Sequence, residues 1–227
     1  MVKKYSLIIP TLNESENLSD FLMPLQALRD QCEIIISDAG STDNTQAIAL
    51  PLVDIFITAE KGRAKQMNAG AAKASSDTFI FLHADTYLPD FALLLIQHGI
   101  DQGKCWGRFD IELVGEHKML KVIAQMMNWR SRLTSIATGD QALFMTRQSF
   151  AKVGGFPDIA LMEDIAMSQQ LKKLAAPYCL SAKVKSSARR WEAYGLWKTI
   201  TLMWRIRLAY FLGKSPDALA EIYRRGW

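Results

Sequence analysis

Four short apolar runs, each followed by a polar turn and a helix-like stretch, constrain this chain more than any other feature. Residues 5–10 (YSLIIP) and 33–37 (EIIIS) are apolar on both faces, as strands in the middle of a parallel sheet must be. Residues 53–57 and 78–82 repeat the pattern. Between them, residues 15–29 carry Leu18, Phe21, Leu22, Leu25 and Leu28 at helical spacing, a second helix starts near Thr45, and a third covers 64–74. This β-α-β-α order predicts a mostly parallel central sheet flanked by helices, with right-handed crossovers. The second half is less regular. It reads as a strand over 108–114, a helix over 117–133, a short strand over 142–146 and a helix over 164–174. At 227 residues the expectation is one α/β domain with a decorated end.

Composition removes several classes. With 49% hydrophobic and 22% charged residues the chain is neither disordered nor fibrous. No uncharged apolar run reaches the roughly 18 residues that span a bilayer. The first apolar run stops at Pro10, too short for a signal-peptide core, so a cytoplasmic protein is expected. Cys32, Cys105 and Cys179 are odd in number and widely spaced, which suits reduced thiols and neither a zinc site nor a disulfide framework. The net charge of +4 conceals a division: residues 183–225 carry +7 and the remainder −3. A basic, aromatic-rich end on an acidic body points to an anionic partner: nucleic acid, membrane lipid or a phosphorylated substrate.

Ligands of open parallel sheets bind beyond the carboxyl ends of the strands. The residues there are Thr11-Leu12-Asn13-Glu14, Asp38, Glu60-Lys61-Gly62-Arg63 and His83-Ala84-Asp85, so polar groups from four strands converge on one rim. Each has a bland reading as a turn or cap. Asp85 ends an apolar strand, where a lone carboxylate is costly to ionise; a Mg²⁺ or Mn²⁺ ion shared with phosphate oxygens would compensate it. Its alternative is to cap the helix that begins near Pro89. Gly62 lets backbone approach a ligand, and Arg63 at a helix start can grip a phosphate; otherwise the stretch is a solvated loop. Asp38 either accepts from a base N–H or serves a turn. Glu163 and Asp164 open a helix beside the turn Gly154-Gly155-Phe156-Pro157. They either complement the helix dipole or provide a general base for an acceptor hydroxyl.

Taken in order, IPTLNE (9–14), SDAGSTDNT (37–45), KGRAKQMNAGA (61–71), FLHADT (81–86), TGDQALF (138–144), GGFP (154–157) and MEDI (162–165) resemble family 2 glycosyltransferases of the GT-A fold. The chain is most similar to a short bacterial subgroup labelled as associated with arsenosugar biosynthesis. The resemblance implies a GT-A domain over residues 1–192, with a nucleotide-binding half over about 1–100 and an acceptor half over about 101–192. Residues 193–227 then form a basic, aromatic helical extension. It implies a nucleotide pocket lined by Pro10, Thr11, Glu14, Asp38, Gly62, Arg63 and His83, and a divalent cation on Asp85. Asp164 would be the base, with Glu163 in reserve, and Gly139 and Asp140 would lie near the donor sugar or acceptor. The donor would be a nucleotide-diphosphate sugar, UDP being the commonest carrier, and transfer would invert the anomeric centre. Two departures stand out. His83 replaces the first Asp of the family's Asp-x-Asp motif. Ser187-Ala188-Arg189-Arg190-Trp191 resembles Gln-x-x-Arg-Trp with Ser for Gln, which would put Arg190 on the departing diphosphate and Trp191 under the acceptor sugar.

Residues 194–212 hold Trp197, Trp204, Tyr210 and Phe211 with Lys198, Arg205 and Arg207. Such a helix either packs on the body or lies in a membrane interface, where a lipid-linked acceptor would suit it. Arg207 falls on the face opposite Lys198 and Arg205. A sugar nucleotidyltransferase would show a Gly-rich, Arg-bearing loop after its first strand, and Thr11-Leu12-Asn13-Glu14-Ser15 has neither. A non-catalytic nucleotide-sugar-binding module is favoured by His83 and opposed by Asp85 and Asp164. Nucleic-acid binding ranks last, because no recognised motif accompanies the charge.

Overall fold

The computed structural model describes residues 3–226, the side chain of Arg190 excepted. In chain order the elements are β1 (Tyr5–Thr11), α1 (Leu18–Leu25), β2 (Cys32–Asp38), α2 (Thr45–Ala49), β3 (Ile55–Thr58), α3 (Arg63–Lys73), β4 (Thr78–Phe81), β5 (Thr86–Tyr87) and α4 (Ala92–Asp101). There follow β6 (Trp106–Val114), α5 (Met119–Thr134), β7 (Leu143–Thr146), α6 (Arg147–Val153), α7 (Glu163–Leu174), β8 (Tyr178–Ser187), α8 (Arg189–Tyr194), α9 (Leu196–Phe211) and α10 (Pro216–Arg225).

The described strands form one eight-stranded sheet in the order β3-β2-β1-β4-β7-β6-β8-β5. The first four strands of this order are mutually parallel, as the alternating pattern predicts. β7 turns the direction by pairing antiparallel with both β4 and β6. The fold is therefore a single α/β domain with a mixed, mostly parallel sheet.

Because successive strand residues point to opposite faces, the sheet sorts its apolar side chains into two cores. Leu7, Ile9, Ile34, Ile36 and Ile80 face α1, α4 and α5, meeting Phe21, Leu22, Ile96 and Ile123. Ile8, Ile35, Phe79 and Phe81 face α3 and α7, meeting Met67, Ala71, Met167 and Leu171. A smaller third cluster joins Ile136, Met162 and Ile165 to Leu202 and Ile206 of α9 and Leu219 of α10. The basic end thus packs on the body through one side of α9.

Several boundaries differ from the sequence reading. The first helix is shorter than 15–29: it ends at Leu25, just after an internal Pro24, and a 3₁₀ turn carries the chain to Leu28. Proline removes an amide donor and crowds the preceding turn, which ends regular α-helix here. β8 is absent from the sequence reading, although Ala182-Lys183-Val184-Lys185 alternates as a half-buried strand does. It pairs parallel with β6 across a register shift at Phe109 and Asp110. Cys32, Cys105 and Cys179 carry no disulfide.

Candidate active site

The first two rim loops are fastened to each other. Thr11 and Asp38 end β1 and β2 as register partners. The Thr11 hydroxyl donates to Asp38 Oδ2 at 2.8 Å, and the Ser41 hydroxyl donates to the same oxygen at 2.6 Å. The amides of Gly40 and Ser41 donate to Oδ1 at 2.9 and 2.7 Å. Asp38 is buried, and its carboxylate is occupied by these four bonds. Asn13, at φ 54°, accepts from the Thr42 amide at 2.9 Å, and the Glu14 amide donates to Thr45 Oγ1 at 2.9 Å. From beneath, buried Gln66 of α3 donates to the carbonyls of both Thr11 and Ser37, each at 2.8 Å. Pro10, Thr11 and Asp38 therefore build a fixed rim.

A cavity of about 120 Å³ lies behind His83. His83, Arg63, Gly139, Asp140, Glu163 and Asp164 are among the residues that line it. Gly62, at φ 137°, holds a backbone conformation that L side chains rarely adopt and sets Arg63 at the first turn of α3. The 3₁₀ turn Gly139–Gln141 is capped by Thr138 and Gln141. Its Gly139 amide donates to Asp164 Oδ2 at 2.9 Å, and the Ile165 amide donates to Oδ1 at 2.7 Å. His83 Nδ1 lies 3.2 Å from Asp140 Oδ1. A Cβ on Gly139 would come within 2.4 Å of His83 Nε2, so glycine is what lets this ring and this turn meet.

Met162, the residue before α7, sits at φ 72°, a conformation that costs a non-glycine residue of order 1–3 kcal/mol. The helix beginning there points its N-terminus at Glu163 and Asp164, which favours their negative charge. The Gly154–Pro157 turn beside them is tied to α3: Asn68 donates to the Phe156 carbonyl at 2.8 Å and accepts from the Phe156 amide at 2.9 Å. Glu163 is buried, and burial followed by the adjacent Asp164 raises its carboxyl above the usual range, against the pull of Arg63 and His83. Arg63 Nη1 stands 3.9 Å from Glu163 Oε1.

Four residues in or near the site escaped the sequence reading. Met203 and Arg207 of α9 and Tyr223 of α10 line the Asp164 cavity. The signal for Arg207 was its position off the Lys198–Arg205 face. Arg130 of α5 holds Nε and Nη2 away from solvent with no acceptor among the described residues. Burial lowers its basicity, while Asp164 and Asp140 act in the opposite sense.

Other expected residues lie apart. Asp85 lines a neighbouring cavity of about 330 Å³ with Asn17, Tyr87, Lys185 and Arg189. It shares neither that lining nor any described contact with Asp164, and His83, two residues away in sequence, lines only the Asp164 cavity. Arg189 Nη2 is 3.9 Å from Glu14 Oε2. Trp191 lines a third cavity with His117 and Trp197, away from Asp164, while the side chain of Arg190 lies outside the described residues.

Among the described residues no group of three or more His, Cys, Asp or Glu is arranged to hold a metal ion. Asp85, with Thr86 Oγ1 donating to its Oδ1 at 3.3 Å, offers one carboxylate beside two cations. That donor set supplies one carboxylate ligand while Lys185 and Arg189 oppose a cation's charge, so a divalent ion would need phosphate oxygens of a ligand to complete it; it does not form a resident cage.

Residues 6–154 match the model of glycosyl transferase family 2, a match that ends before Glu163 and Asp164. Among solved structures, S. aureus TarS 1-349 is 18% identical with a TM-score of 0.64, over 82% of this chain and 60% of that one. The chain thus spans less than two thirds of that TarS chain, which is also known in complex with UDP-GlcNAc. The mannosyltransferase PcManGT from Pyrobaculum calidifontis, in complex with GDP-Man and Mn2+, is 17% identical with a TM-score of 0.67, over 98% of this chain and 68% of that one. Glucosyl-3-phosphoglycerate synthase from Mycobacterium tuberculosis, in complex with Mn2+, UDP and glucosyl-3-phosphoglycerate, is 18% identical with a TM-score of 0.58, over 80% and 70%. At these identities the structures establish the GT-A fold, and the sequence match over 6–154 establishes the family. The chain belongs to glycosyl transferase family 2.

Proposed function

We propose that this protein transfers a sugar from a nucleotide-diphosphate sugar to an acceptor hydroxyl, with inversion and with Asp164 as the general base. The observation that carries this reading is the Asp164 carboxylate, held by the Gly139 and Ile165 amides inside a cavity that also contains Arg63 and Arg207. Two amide donors fix the orientation of a base without removing its remaining acceptor capacity. Asp164 would take the acceptor proton as the acceptor oxygen attacks the anomeric carbon from the side opposite the leaving diphosphate. Glu163, buried and 3.9 Å from Arg63, would stay in reserve.

The rim of Pro10, Thr11, Glu14 and Asp38 would receive the nucleotide, Asp38 acting by holding its loop. Arg63 and His83 would meet the diphosphate, with Gly139 and Asp140 at the sugar. Asp85 would hold a Mg²⁺ or Mn²⁺ ion, with Lys185 and Arg189 adding positive charge around it. When bound, such an ion neutralises charge on the leaving diphosphate. Arg190 would serve the diphosphate, and Trp191 would serve the acceptor sugar only if α8 turned toward the site. A lipid-linked acceptor, and membrane contact through 193–212, belong to the same reading.

The test is a thermal-shift screen of UDP, GDP and their sugars with Mg²⁺ or Mn²⁺, followed by nucleotide release in the presence of acceptors, those of the arsenosugar-associated subgroup included. A nucleotide sugar at 100 times its Kd adds about 2.7 kcal/mol of stability. Stabilisation followed by release supports transfer. Tight binding with no turnover would favour the binding module, and no stabilisation by any nucleotide would defeat both.

A further inference from the structure

α5 and α9 each bury one face and leave an apolar stripe outside. On α5 the stripe is Val122, Met126, Trp129 and Leu133, at intervals of four, three and four residues. On α9 it is Trp197, Trp204, Leu208 and Phe211, at intervals of seven, four and three. These are the intervals of a single helix face. The exposure is large: 87% for Leu133, 71% for Trp197, 64% for Phe211 and 61% for Trp129. Scattered exposed apolar residues need no explanation, but aligned ones mark a contact surface.

The segments flanking α5 at both ends meet α9. Near their N-termini, Trp197 shares a cavity with Glu116 and His117, and the Glu116 amide donates to the Glu192 carboxylate at 2.8 Å. Farther along, Ile136, just beyond α5, packs with Leu202 and Ile206 of α9. The charges on the pair have one sign. Neither 119–134 nor 196–211 contains an Asp or Glu, while Lys121, Lys198 and Arg205 are exposed. Asp110 pairs with Arg132, and Glu116 and Glu192 sit together at one end.

We propose that the outer faces of α5 and α9 form one surface that docks on an anionic lipid bilayer. Tryptophan beside aliphatic residues, ringed by lysine and arginine, is the chemistry of the bilayer interface. Anionic headgroups supply countercharge to Lys121, Lys198 and Arg205. A second copy of this chain does not: a two-fold contact would set these cations against themselves. Among the described residues no helix is long and apolar enough to cross a membrane, so the contact is peripheral. The inner side of α9 carries Met203 and Arg207 into the Asp164 cavity, so docking would hold that cavity about one helix diameter, roughly 10 Å, from the lipid. Only that last consequence rests on the glycosyl-transfer reading.

The experiment is flotation of the full chain with vesicles of phosphatidylglycerol and phosphatidylcholine, against phosphatidylcholine alone, for the wild type and two double variants. Trp129→Ser with Leu133→Ser tests α5, and Trp197→Ser with Trp204→Ser tests α9. The wild type should float with the anionic vesicles and not the neutral ones, and each variant should bind at least tenfold more weakly with unchanged nucleotide-induced thermal shift. Brominated lipid should quench wild-type tryptophan fluorescence, a measurement that needs no variant. Absence of flotation, flotation unchanged in the α5 variant, or a concentration-dependent dimer lost in either variant would overturn the proposal.

Discussion

The backbone amide of Gly139 donates to the carboxylate of Asp164 across 2.9 Å, joining the turn before β7 to the first turn of α7. The same glycine leaves the space that His83 fills from the end of β4. One residue without a side chain therefore sets the geometry of two others. Gly139→Ala would force its Cβ to within 2.4 Å of the His83 ring. The ring is the movable partner, so the protein should fold, at a cost of about 1–3 kcal/mol. Nucleotide-sugar affinity should fall severalfold, and titration calorimetry that found it unchanged would remove His83 and Gly139 from the donor site.

Glu163 gives a pH dependence of definite sign. Its folded carboxyl binds its proton more tightly than the unfolded one, because it is buried beside Asp164. The folded state therefore gains stability from Glu163 below the ordinary glutamate range, and loses it as pH rises through the raised value. Glu163→Gln removes the buried charge. Its Tm should exceed that of the wild type at pH 8, and the difference should close toward pH 4. A difference that widens on acidification would mean that the pair with Arg63 outweighs burial.

Thr11→Val removes one of the four bonds to Asp38 while keeping shape. A hydrogen bond to a charged group contributes about 1.5–3 kcal/mol, so the Tm should drop by a few degrees. Nucleotide affinity should weaken with it, because the 39–43 loop loses one of its fastenings. Urea unfolding with an unchanged m-value would locate the loss in the folded state.

Removal of divalent cations with EDTA should abolish nucleotide release, and Mn²⁺ or Mg²⁺ should restore it. Asp85→Asn should raise the metal concentration needed for half-maximal activity at least tenfold without lowering the Tm. An equal metal requirement in variant and wild type would take Asp85 out of the cation's coordination.

How much was legible in the sequence follows from which interactions are local. β1 through β4 and α3 could be read because each is a short run with its own periodicity, and their order implies parallel pairing. The pairing of β8 could not, since its partner β6 lies some 70 residues earlier. The rim positions of Thr11, Asp38, Arg63 and His83 followed from strand ends. What spacing could not reveal is that Asp38 spends its acceptors on Thr11, Gly40 and Ser41, or that Asp85 opens into a different cavity from Asp164. Those depend on side-chain direction. The reach of Arg207 into the site was visible only as a cation out of line with its helix face.

The account rests on Asp164 as a proton acceptor, and single-turnover nucleotide release by the Asp164→Asn variant tests it most directly. With nucleotide sugar and divalent cation saturating, release should fall about 10²–10⁴-fold while donor Kd and Tm stay at wild-type values. Release at the wild-type rate would contradict the account.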